Sequence, residues 1–360
     1  MSRVFVCCQE NKYLKGGKMI KKIGIVSLSN GVLGESFIEH EIKIGVDRLN
    51  KLGVEIEFLP NSLKGIDFLK NHPEARADDL LLAFEDDTID MILCAIGGED
   101  TYRLAPYLFE GDRLKNIVKQ KLFLGFSDST MNHFMLNKLG IRTFYGQAFL
   151  PDVCELSANM LAYTEKYFLE LIKTEKINVI HPSEVWYEAR EDFSEKAIGI
   201  EMKSHSNTGF ELLRGNPIFS GKILGGCIET IYDMFDNSRF NDTVEICSKY
   251  DLFPTLEEWE NKILLIESSE EKTKPDLYRK MILALKDYGI FDRLSGILVG
   301  KPQNEIYYEE YKSILLEEIT NKDLPIVYNI NIGHSTPRCI IPFGVEAEVN
   351  VSRQTISFNY

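Results

Sequence analysis

Apolar runs and amphipathic segments alternate along the first half of the chain. Short runs that are apolar on both faces predict strands, and the segments between them place apolar residues at helical spacing. The predicted strands are Ile23–Ser27, Val54–Leu59, Met91–Ile96, Leu122–Leu124 and Ile141–Tyr145, and the predicted helices are Glu35–Leu52, Glu74–Asp86, one from about Thr101 and one through Met131 to Leu139. This alternation is typical of a parallel sheet that helices cover on both sides.

The pattern changes after Gln147. A predicted helix, Asn159–Thr174, leads into a polar and aromatic stretch around Trp186, and no clear periodicity follows up to Gly209. Beyond that point strands and helices are mixed and the chain ends in a hairpin. The predicted strands are Lys222–Leu224, Ile263–Ile266, Gly296–Val299, Ile326–Ile330, Val345–Val349 and Thr355–Phe358, and the predicted helices are Cys227–Phe235, Asp276–Tyr288 and Tyr307–Ile319.

These patterns divide the 360 residues, enough for two domains with cores of their own, into four segments. Residues 1–18 lack the apolar stretch of a signal peptide, so we interpret them as an extension before a natural start near Met19. We predict an N-terminal α/β domain over 19–155, a linker and substrate loop over 156–210 and a C-terminal domain over 211–360.

Charge and cysteine content limit the function classes. The chain has 41 Lys plus Arg against 55 Asp plus Glu, a net charge of −14, which argues against a general binder of nucleic-acid polymers. Its seven cysteines form no C-x-x-C pair, so neither a zinc module nor a secreted disulfide framework is predicted. No apolar run approaches membrane-spanning length. We expect a cytoplasmic protein that uses no metal, cofactor or membrane.

Ser127 lies at the corner between a predicted strand and the helix that follows it. A nucleophile elbow has this arrangement, with an exposed hydroxyl beside backbone N–H groups that can stabilise an oxyanion. The alternative is a helix cap, which needs no chemistry. The segment Gly125-Phe-Ser127-Asp-Ser129 keeps the first glycine of the G-x-S-x-G motif but has serine in place of the second.

Three polar turns follow predicted strands, after Ser27, at Gly97-Gly98 and at Ser127. In parallel sheets, ligands bind beyond the carboxyl ends of the strands, so these turns predict a site. Gly97-Gly98-Glu99 has neither the Walker lysine nor the dinucleotide glycine spacing. The two glycines either bring bare backbone N–H groups close to a ligand or oxyanion, or simply form a tight turn.

A serine nucleophile needs a base, and the base needs an orienting acid. His334 is the candidate base, because it follows the strand Ile326–Ile330 in a tight polar turn that contains Gly333 and Pro337. We interpret the other histidines as packing, surface or linker residues: His40, His72, His133, His181 and His205.

Glu267 is the candidate acid, because it ends the buried strand that begins at Ile263. The alternative is a strand-end charge that faces solvent. Glu270 and Glu271 lie further into the loop and are interpreted as solvated charges. The order Ser127, Glu267, His334, with each residue at a strand end, is a coherent hypothesis for a catalytic triad.

With these pieces assembled, the chain resembles the LD-carboxypeptidase family of serine peptidases, which includes the microcin C immunity proteins. The motifs run in the family's order over nearly the whole chain. They are Ala95-Ile-Gly-Gly98 with Arg103-Leu104, Gly125-Phe-Ser127-Asp128, Gly221-Lys-Ile-Leu-Gly-Gly226, Ile263-Leu-Leu-Ile-Glu267, Gly296-Ile-Leu-Val-Gly300 and Asn331-Ile-Gly-His334-Ser.

The resemblance implies a fold, a site and an assembly. The fold is an α/β fold with an N-terminal flavodoxin-like parallel-sheet domain and a smaller C-terminal β-rich α/β domain, and the assembly is a homodimer. Ser127 would be the nucleophile, His334 the base and Glu267 the residue that orients it. The backbone N–H groups of Gly98 and Asp128 would form the oxyanion hole. The residues expected to bind substrate are Gly97, Glu99, Trp186 and Gly226.

The segment that carries Trp186 is similar to the microcin-immunity branch, in which an aromatic residue stacks on a nucleotide base. Packing within the loop is the alternative for Trp186. Two departures from the family affect the substrate pocket: Cys227 stands where asparagine is usual, and Glu99-Asp100 replace smaller residues.

We therefore predict a metal-free serine carboxypeptidase or amidase that hydrolyses a C-terminal amide through an acyl-enzyme. The predicted substrates are murein peptides with an L-to-D terminal bond or peptidyl-nucleotides of the microcin C type. Arg103 and Arg338 are candidates to bind a terminal carboxylate. The alternatives are a non-catalytic small-molecule binder on the same fold and an α/β-hydrolase that acts on esters.

Overall fold

The computed structural model of the protein describes residues 19–360, so the interpretation of residues 1–18 lies outside the described residues. In the first half of the chain, short parallel strands alternate with helices as the pattern predicts. The strands are β1 (Lys22–Val26), β2 (Glu55–Phe58), β3 (Met91–Cys94), β4 (Leu122–Gly125) and β5 (Thr143–Tyr145), and the helices are α1 (Glu39–Lys51), α2 (Ile66–Asn71), α3 (Pro73–Glu85), α4 (Ala105–Phe109), α5 (Arg113–Ile117) and α6 (Thr130–Lys138).

The second half begins with α7 (Ala162–Thr174), and short strands occupy the segment that shows no periodicity. The strands of this half are β6 (Val179–Ile180), β7 (Val185–Tyr187), β8 (Ser204–Ser206), β9 (Glu211–Arg214), β10 (Ile218–Cys227), β11 (Ile263–Glu267), β12 (Gly296–Gly300), β13 (Ile326–Ile330), β14 (Ile341–Phe343), β15 (Glu346–Asn350) and β16 (Thr355–Asn359). The helices are α8 (Ile228–Asp233), α9 (Thr243–Lys249), α10 (Pro275–Tyr288) and α11 (Tyr308–Glu318).

The first sheet has the strand order β14-β5-β4-β3-β1-β2. Strands β1 to β5 pair in parallel, in the doubly wound order of flavodoxin-like folds. The sixth strand, β14, comes from near the end of the chain and pairs with β5 in the antiparallel direction. The predicted flavodoxin-like sheet is therefore confirmed, and a late segment extends it.

The second sheet has eight strands in the order β6-β16-β15-β10-β11-β12-β13-β9. Its centre, β10 to β13, is parallel, and the predicted hairpin is the antiparallel pair β15 and β16. Strands β11, β12 and β13 are buried along their whole length. The carboxyl ends of β11 and β13, like that of β4, carry the candidate catalytic residues or the turns that lead to them.

One difference from the predicted elements lies where glycines bring two loops together. The first helix begins at Glu39 instead of Glu35, because two single 3-10 turns precede it. A Cβ on Gly34 would lie 2.1 Å from the backbone nitrogen of Gly65, so these two loops pack backbone against backbone. Over residues 19–360, no helix is long and apolar enough to cross a membrane.

Candidate active site

Ser127 occupies a strained corner between β4 and α6. Its φ of 64° is left-handed, which is uncommon for a residue with a side chain. Gly97 makes this corner possible, because a Cβ there would lie 2.7 Å from Ser127 Oγ and 3.4 Å from the backbone nitrogen of Asp128. The corner leaves the serine partly exposed while its neighbour Asp128 is buried. This is the geometry of a nucleophile elbow.

Hydrogen bonds connect the three residues of the triad hypothesis. His334 Nε2 lies 2.9 Å from Ser127 Oγ, and His334 Nδ1 lies 2.8 Å from Glu267 Oε2. The backbone N–H of His334 also donates to Glu267 Oε2, at 3.1 Å. Both the imidazole and the carboxylate are buried. A serine, a histidine and a carboxylate in this sequence of contacts can activate the hydroxyl as a nucleophile.

Glycine at position 333 lets the carboxylate of Glu267 reach the histidine. Gly333 has a φ of 73°, and a Cβ there would lie 2.1 Å from the carboxyl carbon of Glu267. Gly300, at the end of β12, packs on the Cβ of Glu267 in the same way, with a hypothetical Cβ at 2.6 Å. The loop after β13 therefore lies directly over Glu267, and His334 is placed by that contact.

Tyr145 joins the site, although the sequence pattern did not single it out. Its hydroxyl donates to Glu267 Oε1 at 2.6 Å and accepts the backbone N–H of Ser127 at 3.1 Å. Burial and the Glu267 charge both raise the pKa of the Tyr145 phenol well above its usual value, so the hydroxyl keeps its proton. The one signal in the sequence for this role is the place of Tyr145 as the last residue of β5. The carboxyl ends of parallel strands lie at the same edge of a sheet.

The three polar turns predicted to meet do so around Ser29. Ser29 Oγ accepts the backbone N–H groups of Glu99 and Asp100, at 2.9 and 3.3 Å. Asp128 Oδ2 accepts the backbone N–H of Thr101 at 2.8 Å. The buried guanidinium of Arg76 pairs with Asp100 at 2.6 Å. These contacts fix the backbone of the Gly97-Gly98 turn beside Ser127.

Glu270 contacts the catalytic histidine candidate, contrary to its interpretation as a solvated charge. Its Oε2 lies 3.0 Å from His334 Nε2, although 64% of its side chain is exposed. The hydrogen bond from His334 lowers the pKa of the Glu270 carboxyl to about 2. Burial lowers the pKa of His334, but Glu267 and Glu270 together raise it more, to about 10. His334 therefore lies between two carboxylates that both favour its protonated form.

The remaining predicted substrate residues lie at different distances from this centre. A Cβ on Gly226 would lie 2.3 Å from Thr130 Oγ1 and 2.8 Å from Tyr145 Cε2, so Gly226 borders the site. The side chain of Glu99 is exposed. Trp186 is buried and stacks on His205, with ring centroids 4.3 Å apart. In this state the indole packs within its own loop.

The two arginines considered for a terminal carboxylate are already paired. Arg338 is buried and lies 3.2 Å from Asp152. Arg103 lies 3.2 Å from Asp242 and packs over the ring of Tyr102. Each arginine would therefore meet a substrate carboxylate with part of its charge already offset by an acid.

Cys227, Glu267 and His334 also bring three possible metal ligands within 4.8 Å of one another. The Glu267 oxygens accept hydrogen bonds from Tyr145 and His334, and the Cys227 thiol donates to Glu229 at 3.2 Å. Burial raises the pKa of that thiol well above its usual value, which disfavours the thiolate that a metal would need. The hydrogen-bonded network accounts for all three side chains.

Comparison with known proteins agrees with this architecture. The family model for the LD-carboxypeptidase N-terminal domain matches residues 23–146, and the model for the LD-carboxypeptidase C-terminal domain matches residues 220–349. The solved structure of an MccF-like protein from Streptococcus pneumoniae in complex with AMP is 60% identical, with a TM-score of 0.94, and the match covers 95% of this chain and 99% of that chain.

More distant relatives share the fold. The microcin C7 self-immunity protein MccF of Escherichia coli is 24% identical over 281 residues, 75% of this chain and 73% of the relative. A structure of MccF in complex with glutamyl sulfamoyl guanosine is 21% identical with a TM-score of 0.76, and the match covers 95% of this chain and 97% of that chain.

The fold and the matches define a serine peptidase of the LD-carboxypeptidase type. The chain belongs to the LD-carboxypeptidase family, and its carboxypeptidase-like relatives identify it as an enzyme.

Proposed function

We propose that the protein is a serine carboxypeptidase that cleaves the amide-type bond of a peptidyl- or aminoacyl-nucleotide through a Ser127-His334-Glu267 triad. The observation that carries the proposal is the continuous contact from Ser127 Oγ through both ring nitrogens of His334 to Glu267. The 60% identical relative that was solved with AMP supports the nucleotide part of the substrate. Murein peptides with an L-to-D bond are the alternative substrate.

The chemistry follows from the contacts. Ser127 Oγ attacks the carbonyl carbon while neutral His334 accepts the hydroxyl proton at Nε2. Glu267 holds Nδ1–H and stabilises the imidazolium that forms. Backbone N–H groups of Gly98 and Asp128 would bind the oxyanion, since Asp128 follows Ser127 in the chain and Gly98 follows Gly97, which packs on Ser127. His334 then returns its proton to the leaving group, and water hydrolyses the acyl-enzyme.

Fluorophosphonate labelling tests the nucleophile. We expect the probe to label wild-type protein and to leave Ser127→Ala unlabelled. Ser129→Ala is the matched control, because Ser129 lies two residues away and is buried. Labelling of Ser127→Ala as strong as that of the wild type would assign the nucleophile elsewhere.

Mass spectrometry of reaction products tests the substrate. We expect release of the nucleotide part from a peptidyl-adenylate analogue, with no release by Ser127→Ala. Release of D-alanine from a murein tetrapeptide at a higher kcat/KM would favour the alternative substrate. Ester hydrolysis without amide hydrolysis would favour the α/β-hydrolase alternative, against which the family and the fold both argue. The homodimer and the cytoplasmic location stay predictions.

A further inference from the structure

Glu270 and Ser127 compete for the same nitrogen of His334. Ser127 Oγ lies 2.9 Å and Glu270 Oε2 3.0 Å from Nε2. A carboxylate can only accept a hydrogen bond, so the Glu270 contact needs a proton on Nε2. The Ser127 hydroxyl can donate its proton only when Nε2 has none. Glu270 therefore stabilises the unreactive imidazolium. A substrate must draw the Glu270 carboxylate away from His334 before Ser127 can react.

The loop that carries Glu270 is anchored on both sides of that residue. Buried Glu229 accepts the backbone N–H of Ser269 at 3.0 Å and the hydroxyl of Thr273 at 2.6 Å. On the far side, Arg239 pairs with Glu271 at 3.0 Å. The fold thus places the Glu270 carboxylate at the reacting centre, where it and the Ser127 hydroxyl contact the same nitrogen of His334.

A scissile bond positioned over Ser127 brings the substrate's acyl residue close to this carboxylate. The nearby arginines offer little to an anionic substrate, because each already pairs with an acid: Arg239 with Glu271 and Asp233, Arg338 with Asp152, and Arg103 with Asp242. A carboxylate on the substrate would meet the charge of Glu270 beside arginines that are already paired, so the repulsion would be only partly offset. An ammonium would pair with Glu270 and draw it from His334.

We propose that Glu270 is a specificity-determining residue that selects substrates whose acyl residue carries a cationic group and rejects those that carry a carboxylate. The selection has two parts. The cation pairs with Glu270, and the loss of the Glu270 contact lets His334 release its proton and act as a base. This inference rests on the proposed function, because it assigns a substrate class to the Ser127 site.

Turnover of three matched substrates tests the charge preference. The substrates are lysyl, glutaminyl and glutamyl amides of an adenosine phosphate, which share the nucleotide and differ in the acyl side chain, chiefly in its charge. For wild-type protein we expect kcat/KM to favour the lysyl over the glutamyl compound by at least about 10-fold, since the Glu270 side chain is largely exposed and solvent screens only part of its charge. Glu270→Gln should reduce this ratio to within about 3-fold, and Glu270→Lys should reverse it.

Glu271→Gln is the control for loop charge, because Glu271 is adjacent in sequence but points to Arg239, and loss of this half-exposed ion pair leaves the loop held by the buried Glu229. It should keep most of the wild-type preference. An equal ratio in wild type and Glu270→Gln, or a wild-type preference for the glutamyl compound, would overturn the inference.

Protection of Ser127 from the fluorophosphonate separates the two proposals. Lysyl and glutamyl analogues of these compounds, in which a methylene group replaces the nitrogen of the scissile bond, are compared as protecting ligands, so no turnover is needed. We expect the lysyl compound to protect wild-type Ser127 at the lower concentration, and this difference to vanish in Glu270→Gln. Labelling without a charge preference overturns the specificity inference alone, whereas no labelling of Ser127 overturns the proposed function and the inference with it.

Discussion

Tyr145 and Glu267 are 122 residues apart in the chain, yet the tyrosine hydroxyl donates to the carboxylate at 2.6 Å. The same hydroxyl accepts the backbone N–H of Ser127. Together with the contacts of His334, these bonds close a ring that starts and ends at Ser127. The ring joins the first sheet to the second, so the geometry of the nucleophile depends on both.

Tyr145→Phe should lower kcat more than it changes KM. The substitution removes one hydrogen bond to Glu267 and one to the Ser127 backbone, and a residue that positions a triad in this way contributes about 10-fold or more to kcat. The buried partners left without a bond should lower the free energy of unfolding by about 1–3 kcal/mol. Steady-state kinetics and urea unfolding measure the two effects.

The control is Tyr163→Phe, which removes a tyrosine hydroxyl that donates to His181 O at 2.6 Å. It should leave kcat close to that of the wild type. A wild-type kcat in Tyr145→Phe would show that the tyrosine has a purely structural role.

Gly333→Ala should abolish most activity, because the new Cβ would lie 2.1 Å from the carboxyl carbon of Glu267. The carboxylate or the loop that carries His334 must then move, and we expect kcat/KM to fall by about 100-fold or more.

Gly140→Ala is a close control. Gly140 has a φ of 72°, almost that of Gly333, but nothing within 4 Å of a hypothetical Cβ. It should lose about 1 kcal/mol of stability from backbone strain while retaining activity. Equal activity of the two variants would contradict this view of Gly333.

The sequence pattern was informative where chemistry coincided with strand ends. It singled out Ser127, Glu267 and His334 because each ends or follows an apolar strand, and the structure brings their side chains into contact. Their catalytic roles stay predictions. The alternation of strands and helices also predicted the doubly wound sheet, since that signal is local and repeats along the chain.

Long-range contacts of ordinary side chains were not predictable in this way. Tyr145 looked like one more apolar strand residue, because nothing local reveals which partner its hydroxyl meets. Glu270 looked like a solvated loop charge, and its side chain is indeed largely exposed, but the loop places its carboxylate at His334. The antiparallel pairing of β14 with β5 likewise joins segments that are far apart in the chain.

Glu270→Gln should move the acidic limb of the pH profile of kcat/KM to lower pH. The groups that face the His334 imidazole are the carboxylates of Glu267 and Glu270, the Ser127 hydroxyl, the Cys227 thiol and the ring of Phe126. Both carboxylates raise the pKa of His334, so loss of one lowers it and leaves more neutral base at a given pH. We expect a shift of about one pH unit with an uncharged substrate. An unchanged limb would indicate that Glu270 does not influence the base.

His133 should make the folded state sensitive to acid. The ring is fully buried in α6 and contacts Thr143 Oγ1 and Gly125 O, and burial lowers its pKa from 6.5 to about 3. Below pH 6.5 the unfolded chain binds a proton that the folded protein does not, so the stability contributed by the neutral ring is present above that pH and is lost as the pH falls toward 3.

His133→Gln removes this titration, so the variant should lose stability less steeply than the wild type as the pH falls. The difference in slope should approach about 1.4 kcal/mol per pH unit, measured by urea unfolding at a series of pH values. The exposed His181 gives the control variant His181→Gln, which measures what a solvent-exposed histidine contributes. Parallel stability curves for wild type and His133→Gln would refute the assignment.

Ser127→Gly should be inactive but more stable than Ser127→Ala. Both substitutions remove the hydroxyl and its bond to His334, so a comparison of the two isolates the backbone. Residue 127 has a φ of 64°, a conformation that glycine adopts freely and that alanine adopts at a cost of about 1–2 kcal/mol. The greater flexibility of glycine in the unfolded chain offsets part of this difference, by roughly 0.5–1 kcal/mol. Urea unfolding should therefore show Ser127→Gly to be the more stable variant by up to about 1.5 kcal/mol. If alanine is equally stable or more stable at this position, the corner stores no strain, and the elbow would owe its shape to the surrounding contacts alone.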